Sequence, residues 1–427
     1  VTETYLIPGM AVTDHELTVP LDWTRPDDGR VNRLFAREIV DPARRGDDLP
    51  VMVFLQGGPG GKSPRPDSSQ GWLTEILRTH RLVLMDQRGT GRSSRVQGST
   101  LAGMTPAEAV SYLLCFRADS IVADLEELRR RVYGGIRWQT LGHSYGGFIT
   151  LAYLSTHPEA LAACYVSGGM TSVTPSADDV YRHTYPRVAR RNAEYLERYP
   201  GDREIVQRIV ETVEAEPPVL PDGDLLTLRR FQGMGLDLGL EGGMERMHWL
   251  LDDALADGAL TDTFLAQIAS WTSYDDNPLF VVMQESLYAN GPGATNWAAE
   301  RMRAEFPEFG PDARPVLFTG EMMAPWMLHE IRSLRPFAQA TEALAANEDY
   351  SVLYDLPRLR ANEVPVSAIS YFDDIFVDIE FATTTAALLG NCRLWVTNQY
   401  QHDGLFHDPG IVRRLIDSVT DTGGPLS

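Results

Sequence analysis

The feature that most constrains this chain is a serine between two glycines, placed where one periodicity gives way to another. Gly142-His-Ser-Tyr-Gly146 follows a short continuous apolar run at 138–141 and precedes a helical run at 148–155. A brief apolar run bounded by glycine reads as a strand buried on both faces. A strand that turns at once into a helix needs small residues where the backbones converge. It also lifts its apex residue, here Ser144, into the open. The start of the helix adds a field that favours negative charge at that apex. Such a junction requires a sheet with helices packed against it.

The remaining chain supplies both. Strand-like runs at 34–40, 51–55, 82–85 and 164–167 alternate with helical stretches such as 121–132, where Ile121, Leu125, Leu128 and Val132 share a face. This alternation predicts a mostly parallel central sheet with helices on both sides. After Gly168-Gly169 the pattern becomes mainly helical, at 183–199, 204–215, 244–256, 261–270 and 297–306. Strand character returns at 366–372 and 393–397, and a short helix is expected at 411–418. At 427 residues the chain is too long for one ordinary core. Three parts are expected: 1–170 as the first portion of the α/β core, 171–350 as a helical cap, and 351–427 as the rest of the core. A cap inserted before the last strands lies over the sheet's C-terminal edge, where open α/β sheets place their sites.

A serine hydroxyl attacks only when a base takes its proton, and the intermediate needs donors for its oxyanion. After a junction of this kind the partners come in the order acid, then histidine, each beyond a late strand. The run at 365–372 leads into Asp373-Asp374, and the run at 393–397 leads to Tyr400-Gln-His-Asp-Gly404. His402 is the expected base and Asp374 the acid that fixes its tautomer. Asp373 differs from Asp374 by one residue of register, while Asp378 and His407 are the more distant alternatives. Consecutive glycines in Gln56-Gly-Gly-Pro-Gly-Gly61 leave bare N–H groups beside the strand at 51–55. Gly57 or Gly58, with the N–H of Tyr145, forms the expected oxyanion hole. The downstream half of a G-x-G-x-x-G pattern is missing, which argues against a dinucleotide site.

Charge and composition narrow the partners. With 38 basic and 59 acidic residues the net charge is −21, a surface that repels nucleic acid and anionic lipid and tolerates a cationic substrate. No run approaches the length of a membrane span, and residues 1–20 lack the apolar core of a secretory signal. Cys115, Cys164 and Cys392 sit apart in apolar surroundings, as free thiols of a reducing, cytoplasmic compartment would. No cysteine–histidine cluster has ligand spacing, so no metal and no cofactor is expected. Oligomeric state leaves no mark in the sequence.

Several segments together resemble a known family. Gly57–Gly61, Asp86-Gln-Arg-Gly-Thr-Gly-Arg-Ser93, Gly142–Gly147 and His402-Asp-Gly404 are similar to the prolyl aminopeptidases, or proline iminopeptidases, of the α/β-hydrolase superfamily. The longer bacterial branch fits best, through Pro8-Gly-Met, Asp14-His, residues 55–66 and Thr319-Gly-Glu-Met322. One departure is Gln56, where the shorter enzymes have His; either side chain can hold the loop by hydrogen bonding. Arg88 reads as a structural residue that closes a loop near the site. The resemblance implies an α/β-hydrolase fold and a serine exopeptidase that releases N-terminal proline from small peptides through an acyl-enzyme on Ser144. Recognition of a free imino cation then calls for carboxylates in a water-poor pocket. Glu245, Glu285 and Glu321 are the cap candidates, with Glu241 beside them, and Phe231, Trp249, Tyr288 and Trp326 are available to box the pyrrolidine ring. An esterase, an amidase or a tripeptidyl-type aminopeptidase would use the same triad. A binding protein on an inactive scaffold would be expected to lack the serine, the histidine or the oxyanion glycines, all of which are present.

Overall fold

The computed structural model describes residues 3–421. The apolar runs form the centre of a nine-stranded sheet. Its strands are β1 (Glu3–Ile7), β2 (Met10–Pro20), β3 (Val31–Val40), β4 (Val51–Leu55), β5 (Arg81–Asp86), β6 (Trp138–His143) and β7 (Leu161–Ser167). A two-stranded hairpin in the insertion, β8 (Leu255–Ala256) and β9 (Ala259–Leu260), stands apart, and β10 (Val366–Tyr371) and β11 (Cys392–Thr397) complete the main sheet. The spatial order is β1-β2-β3-β5-β4-β6-β7-β10-β11. Pairing is parallel from β5 through β11 and antiparallel from β1 through β3 to β5. The sheet is therefore mixed. Its parallel part is the one legible in the sequence, because β4, β6, β7 and β10 are buried along their whole length.

Side chains on alternate positions feed two cores. Val51, Val53 and Leu55 pack with helices Ala118–Tyr133, Tyr145–Thr156 and Ile379–Leu388 on one face. Met52 and Phe54 pack with helices Trp72–Leu77 and Pro409–Thr420 on the other. The segment between β7 and β10 is mainly helical and carries an apolar core of its own, built from residues such as Tyr195, Ile209, Phe231, Phe264 and Phe318. Its longest helix, Ala177–Arg198, begins with a capping box between Ser176 and Asp179. The run at 316–319, strand-like in sequence, is irregular here. Phe318 donates its N–H to Asn192 Oδ1 at 2.8 Å, and Thr319 donates to the Gln232 carbonyl at 2.8 Å, so these groups are satisfied without a sheet.

The insertion leans on the loops at the C-terminal ends of the parallel strands. Gly239 accepts the N–H of His402 at 3.2 Å, and Glu241 exchanges bonds with the backbone of Gln401 and the carboxylate of Asp403. Arg187 reaches the carbonyl of Phe372 at 2.9 Å and pairs with Asp378. These contacts bring the cap over the end of the sheet where Ser144, Asp374 and His402 emerge.

Candidate active site

Ser144 lies directly after β6, with φ 52° and ψ −122°, and begins helix Tyr145–Thr156. It is the one residue from 138 to 155 that is not buried. The glycines around it are fixed by close backbone approach. A Cβ on Gly146 would fall 1.9 Å from the Leu55 carbonyl oxygen, and one on Gly142 would fall 2.4 Å from that of Gly146. The turn is pinned by the Ser144 N–H donating to Ser167 O at 2.9 Å. This is a strained strand-to-helix elbow with Ser144 at its apex.

Beyond β10, Asp374 is buried, and its Oδ1 accepts the N–H groups of Phe376 and Val377 at 2.7 and 3.1 Å. Its Oδ2 lies 2.7 Å from Nδ1 of His402, which follows β11 and is itself buried. Burial alone would lower the His402 pKa, but the adjacent Asp374 charge and hydrogen bond, with Glu321 and Asp403 behind them, raise it above the ordinary 6.5. Asp373 faces the other way, paired with Arg190 at 2.9 Å. Asp378 caps helix Ile379–Leu388 and pairs with Arg187. His407 is exposed and bonded to Asp403 at 3.0 Å. Among the described residues, His183, Asp378 and Glu380 are also grouped closely enough to surround an ion, with Arg187 already on one Asp378 oxygen.

The glycine loop after β4 runs against Ser144. A Cβ on Gly57 would lie 3.0 Å from that of Ser144, and Gly58 has φ 123°, a region that favours glycine. The side-chain role expected for Gln56 is not seen. Its Oε1 is buried without a hydrogen-bond partner, and the loop is held instead by Gln87 Nε2 donating to the Gln56 carbonyl at 2.9 Å. Arg88 is structural: it forms a buried bidentate pair with Asp124 at 2.6 and 2.7 Å and donates to the Leu21 and Cys115 carbonyls at 2.7 Å each.

The cap glutamates part company. Glu245 is not brought to the site. Helix Gly243–Asp252 buries Met244, Met247, Leu250 and Leu251, which turns Glu245 toward Arg198 and Tyr199. Glu241 is spent on the Gln401 backbone. Glu321 sits near His402 and Asp374, and burial first of all pushes its carboxyl up to about 7. Tyr181, Tyr274 and Tyr288 all feel the Glu321 charge. Glu285 is buried and also pushed up to about 7, chiefly by desolvation; Oε1 accepts the Ala299 N–H at 2.9 Å, while Oε2 has no partner. Of the aromatic candidates, Tyr288 lies in this group, Phe231 is fully buried in the cap core and Trp249 is exposed. Trp326 lines a small cavity with Tyr274, Met322 and Met323. Sequence reasoning missed Tyr181, Tyr274 and Gln284, which lie around Glu321. It also missed His143, whose ring lies 5.2 Å from that of His402. Tyr181 and Gln284 follow the pattern of helix core, His143 ends strand β6 and Tyr274 lies in a loop, so none carries a signal of its own in the sequence. A wide groove of about 1030 Å³ lies at the opposite end of the strands, lined by Arg137, Glu159, Arg358 and Arg393.

A sheet of this order, with a strained serine after β6, an acid after β10 and a histidine after β11, defines a serine hydrolase of the α/β-hydrolase fold. The family model for the alpha/beta hydrolase fold matches residues 50–212. A proline iminopeptidase of Aeromonas sobria is 40% identical over 414 residues, 96% of this chain and 97% of that protein. A second, from Aspergillus aculeatus, is 33% identical over 413 residues, 93% of this chain and 91% of that one. The chain belongs to the proline iminopeptidase family, a serine peptidase branch of the α/β-hydrolase superfamily. No helix among the described residues is long and apolar enough to cross a membrane.

Proposed function

We propose that this chain releases proline from the N-terminus of small peptides by acylating Ser144 and hydrolysing the acyl-enzyme with water. The Asp374 carboxylate keeps the His402 proton on Nδ1 and leaves Nε2 free to act as base toward Ser144. The same nitrogen then returns the proton to the leaving amine. The N–H of Gly57 or Gly58, with that of Tyr145, receives the oxyanion, and their fixed backbone geometry costs no reorganisation during the reaction. Neither cofactor nor metal enters these steps. Free Cys115, Cys164 and Cys392 suit a cytoplasmic setting.

Glu321 carries the amine specificity. It is a carboxyl beside the catalytic histidine with no salt bridge to any described residue, and desolvation penalises its charge. A substrate that brings a cation relieves that penalty, and an N-terminal imino group is such a cation. Glu285, with one unpartnered oxygen, is the second acceptor. The discriminating experiment compares proline p-nitroanilide, its N-acetyl analogue and p-nitrophenyl acetate. Hydrolysis of the free-imino anilide with rejection of the acetylated one supports this reading; turnover of the ester alone overturns it.

A further inference from the structure

The oxyanion loop is held from the cap side as well as from the core. Asn277 Nδ2 donates to the carbonyl of Pro59 at 3.0 Å, while Asn277 Oδ1 accepts the N–H of Phe280 at 3.2 Å at the start of helix Leu279–Met283. One residue earlier, Asp276 pairs with Lys62 at 2.8 Å. Gly60 makes the approach possible: a Cβ there would lie 2.4 Å from that of Leu279 and 2.5 Å from Asn277 Oδ1. Leu279 is buried in one apolar cluster with Phe116 and Val282, so the segment is anchored before it meets the loop. The helix leads to Gln284, which lies beside Glu321, and then to Glu285.

We propose that cap segment 276–279 is a latch that holds the oxyanion loop in its catalytic shape, with Asn277 as the positioning residue. The inference rests on Gly57 or Gly58 supplying an oxyanion donor. A stretch in which glycine occupies four of five positions, 57–61, has large conformational freedom, and an oxyanion donor is useful only when it is already aimed. Gln87 fixes the loop before the donors, at the Gln56 carbonyl, and Asn277 fixes it after them, at the Pro59 carbonyl. The Lys62–Asp276 pair is exposed and adds little by itself. Because the same segment leads into the amine-binding residues, cap position and oxyanion geometry are linked through one short helix.

Asn277→Asp separates latch from helix cap. The aspartate keeps an acceptor for the Phe280 N–H and turns an acceptor, in place of the donor, toward the Pro59 carbonyl. The rate of Ser144 phosphonylation by a fluorophosphonate reads the oxyanion geometry without requiring a proline substrate. In Asn277→Asp that rate is expected to fall about 10-fold or more, with a matching fall in kcat for proline p-nitroanilide. Inhibition by pyrrolidine, which probes the amine site alone, changes less than about 2-fold by the same reasoning. Asn277→Ser, which can cap Phe280 but is too short to reach Pro59, behaves alike and serves if the aspartate variant does not fold. Parent-like phosphonylation in these variants, or an equal loss of phosphonylation and pyrrolidine binding, overturns the latch. A parent that phosphonylates but does not cleave the proline anilide overturns the proline reading and leaves the latch measurable.

Discussion

Ser144 occupies a backbone region that costs a residue with a Cβ on the order of 1–3 kcal/mol, held there by the Ser167 carbonyl and the packed glycines. Ser144→Ala is expected to abolish fluorophosphonate labelling while the folded protein remains. The two adjacent aspartates give a sharper test. Asp374→Asn disturbs the His402 tautomer and is expected to lower kcat about 10⁴-fold, whereas Asp373→Asn changes it little. Steady-state kinetics on both variants would reverse the assignment if Asp373 proved the sensitive one. Glu321→Gln removes a charge-assisted bond of about 1.5–3 kcal/mol, so KM for proline p-nitroanilide should rise roughly 10- to 100-fold. At this scale the sequence marked Ser144 by its flanking glycines and put His402 ahead of His407 as the expected base. It left Asp373 and Asp374 open, because one residue of register in a turn is not encoded by strand periodicity. The turn is settled by Phe376 and Val377 donating to Asp374 and by Arg190 drawing Asp373 outward.

Among the elements, the parallel strands, the exposed edge strand β11 included, were legible, and the antiparallel β1 and β2 were not. β4, β6, β7 and β10 read as continuous apolar runs, while β1 and the alternating β2, which extend the sheet by antiparallel pairing, gave no such signal. The segment at 316–319 has strand composition but lacks a strand to pair with, and Asn192 and Gln232 take its N–H groups instead. The elbow between β6 and its helix makes a strong prediction of its own. Gly146→Ala drives a methyl group into the Leu55 carbonyl, with only β4 and the helix backbone to yield, so a loss of several kcal/mol is expected from overpacking. Urea denaturation checks it, and a parent-like midpoint would show that the elbow is looser than its contacts indicate.

Over the whole molecule, the charge of −21 and the proton balance set the response to solution conditions. An acidic surface attracts a cationic substrate, so kcat/KM for proline p-nitroanilide should fall as salt rises, and fall less for a neutral ester. A general base acts only when neutral, so with His402 as the base its raised pKa is expected to place the acid limb of activity above pH 6.5. Glu285 and Glu321, pushed up to about 7 from 4.5, and His402, raised from 6.5, all bind protons more tightly folded than unfolded. The stability they contribute is full below their unfolded values and is lost as pH rises through the folded ones. A urea midpoint that declines from pH 5 to pH 8, and declines less in Glu285→Gln, is the expected result. The sequence by itself determined the hydrolase class, because strand burial, the elbow glycines and the order of serine, acid and histidine are local patterns that a chain displays residue by residue. Only the tertiary structure decided which glutamate lies near His402 and what contacts the glycine loop at 57–61. Those depend on the surroundings of Glu321 and Pro59, and the side chains that make them (His402, Tyr181, Tyr288, Asn277) come from segments far apart in the chain that packing alone brings together.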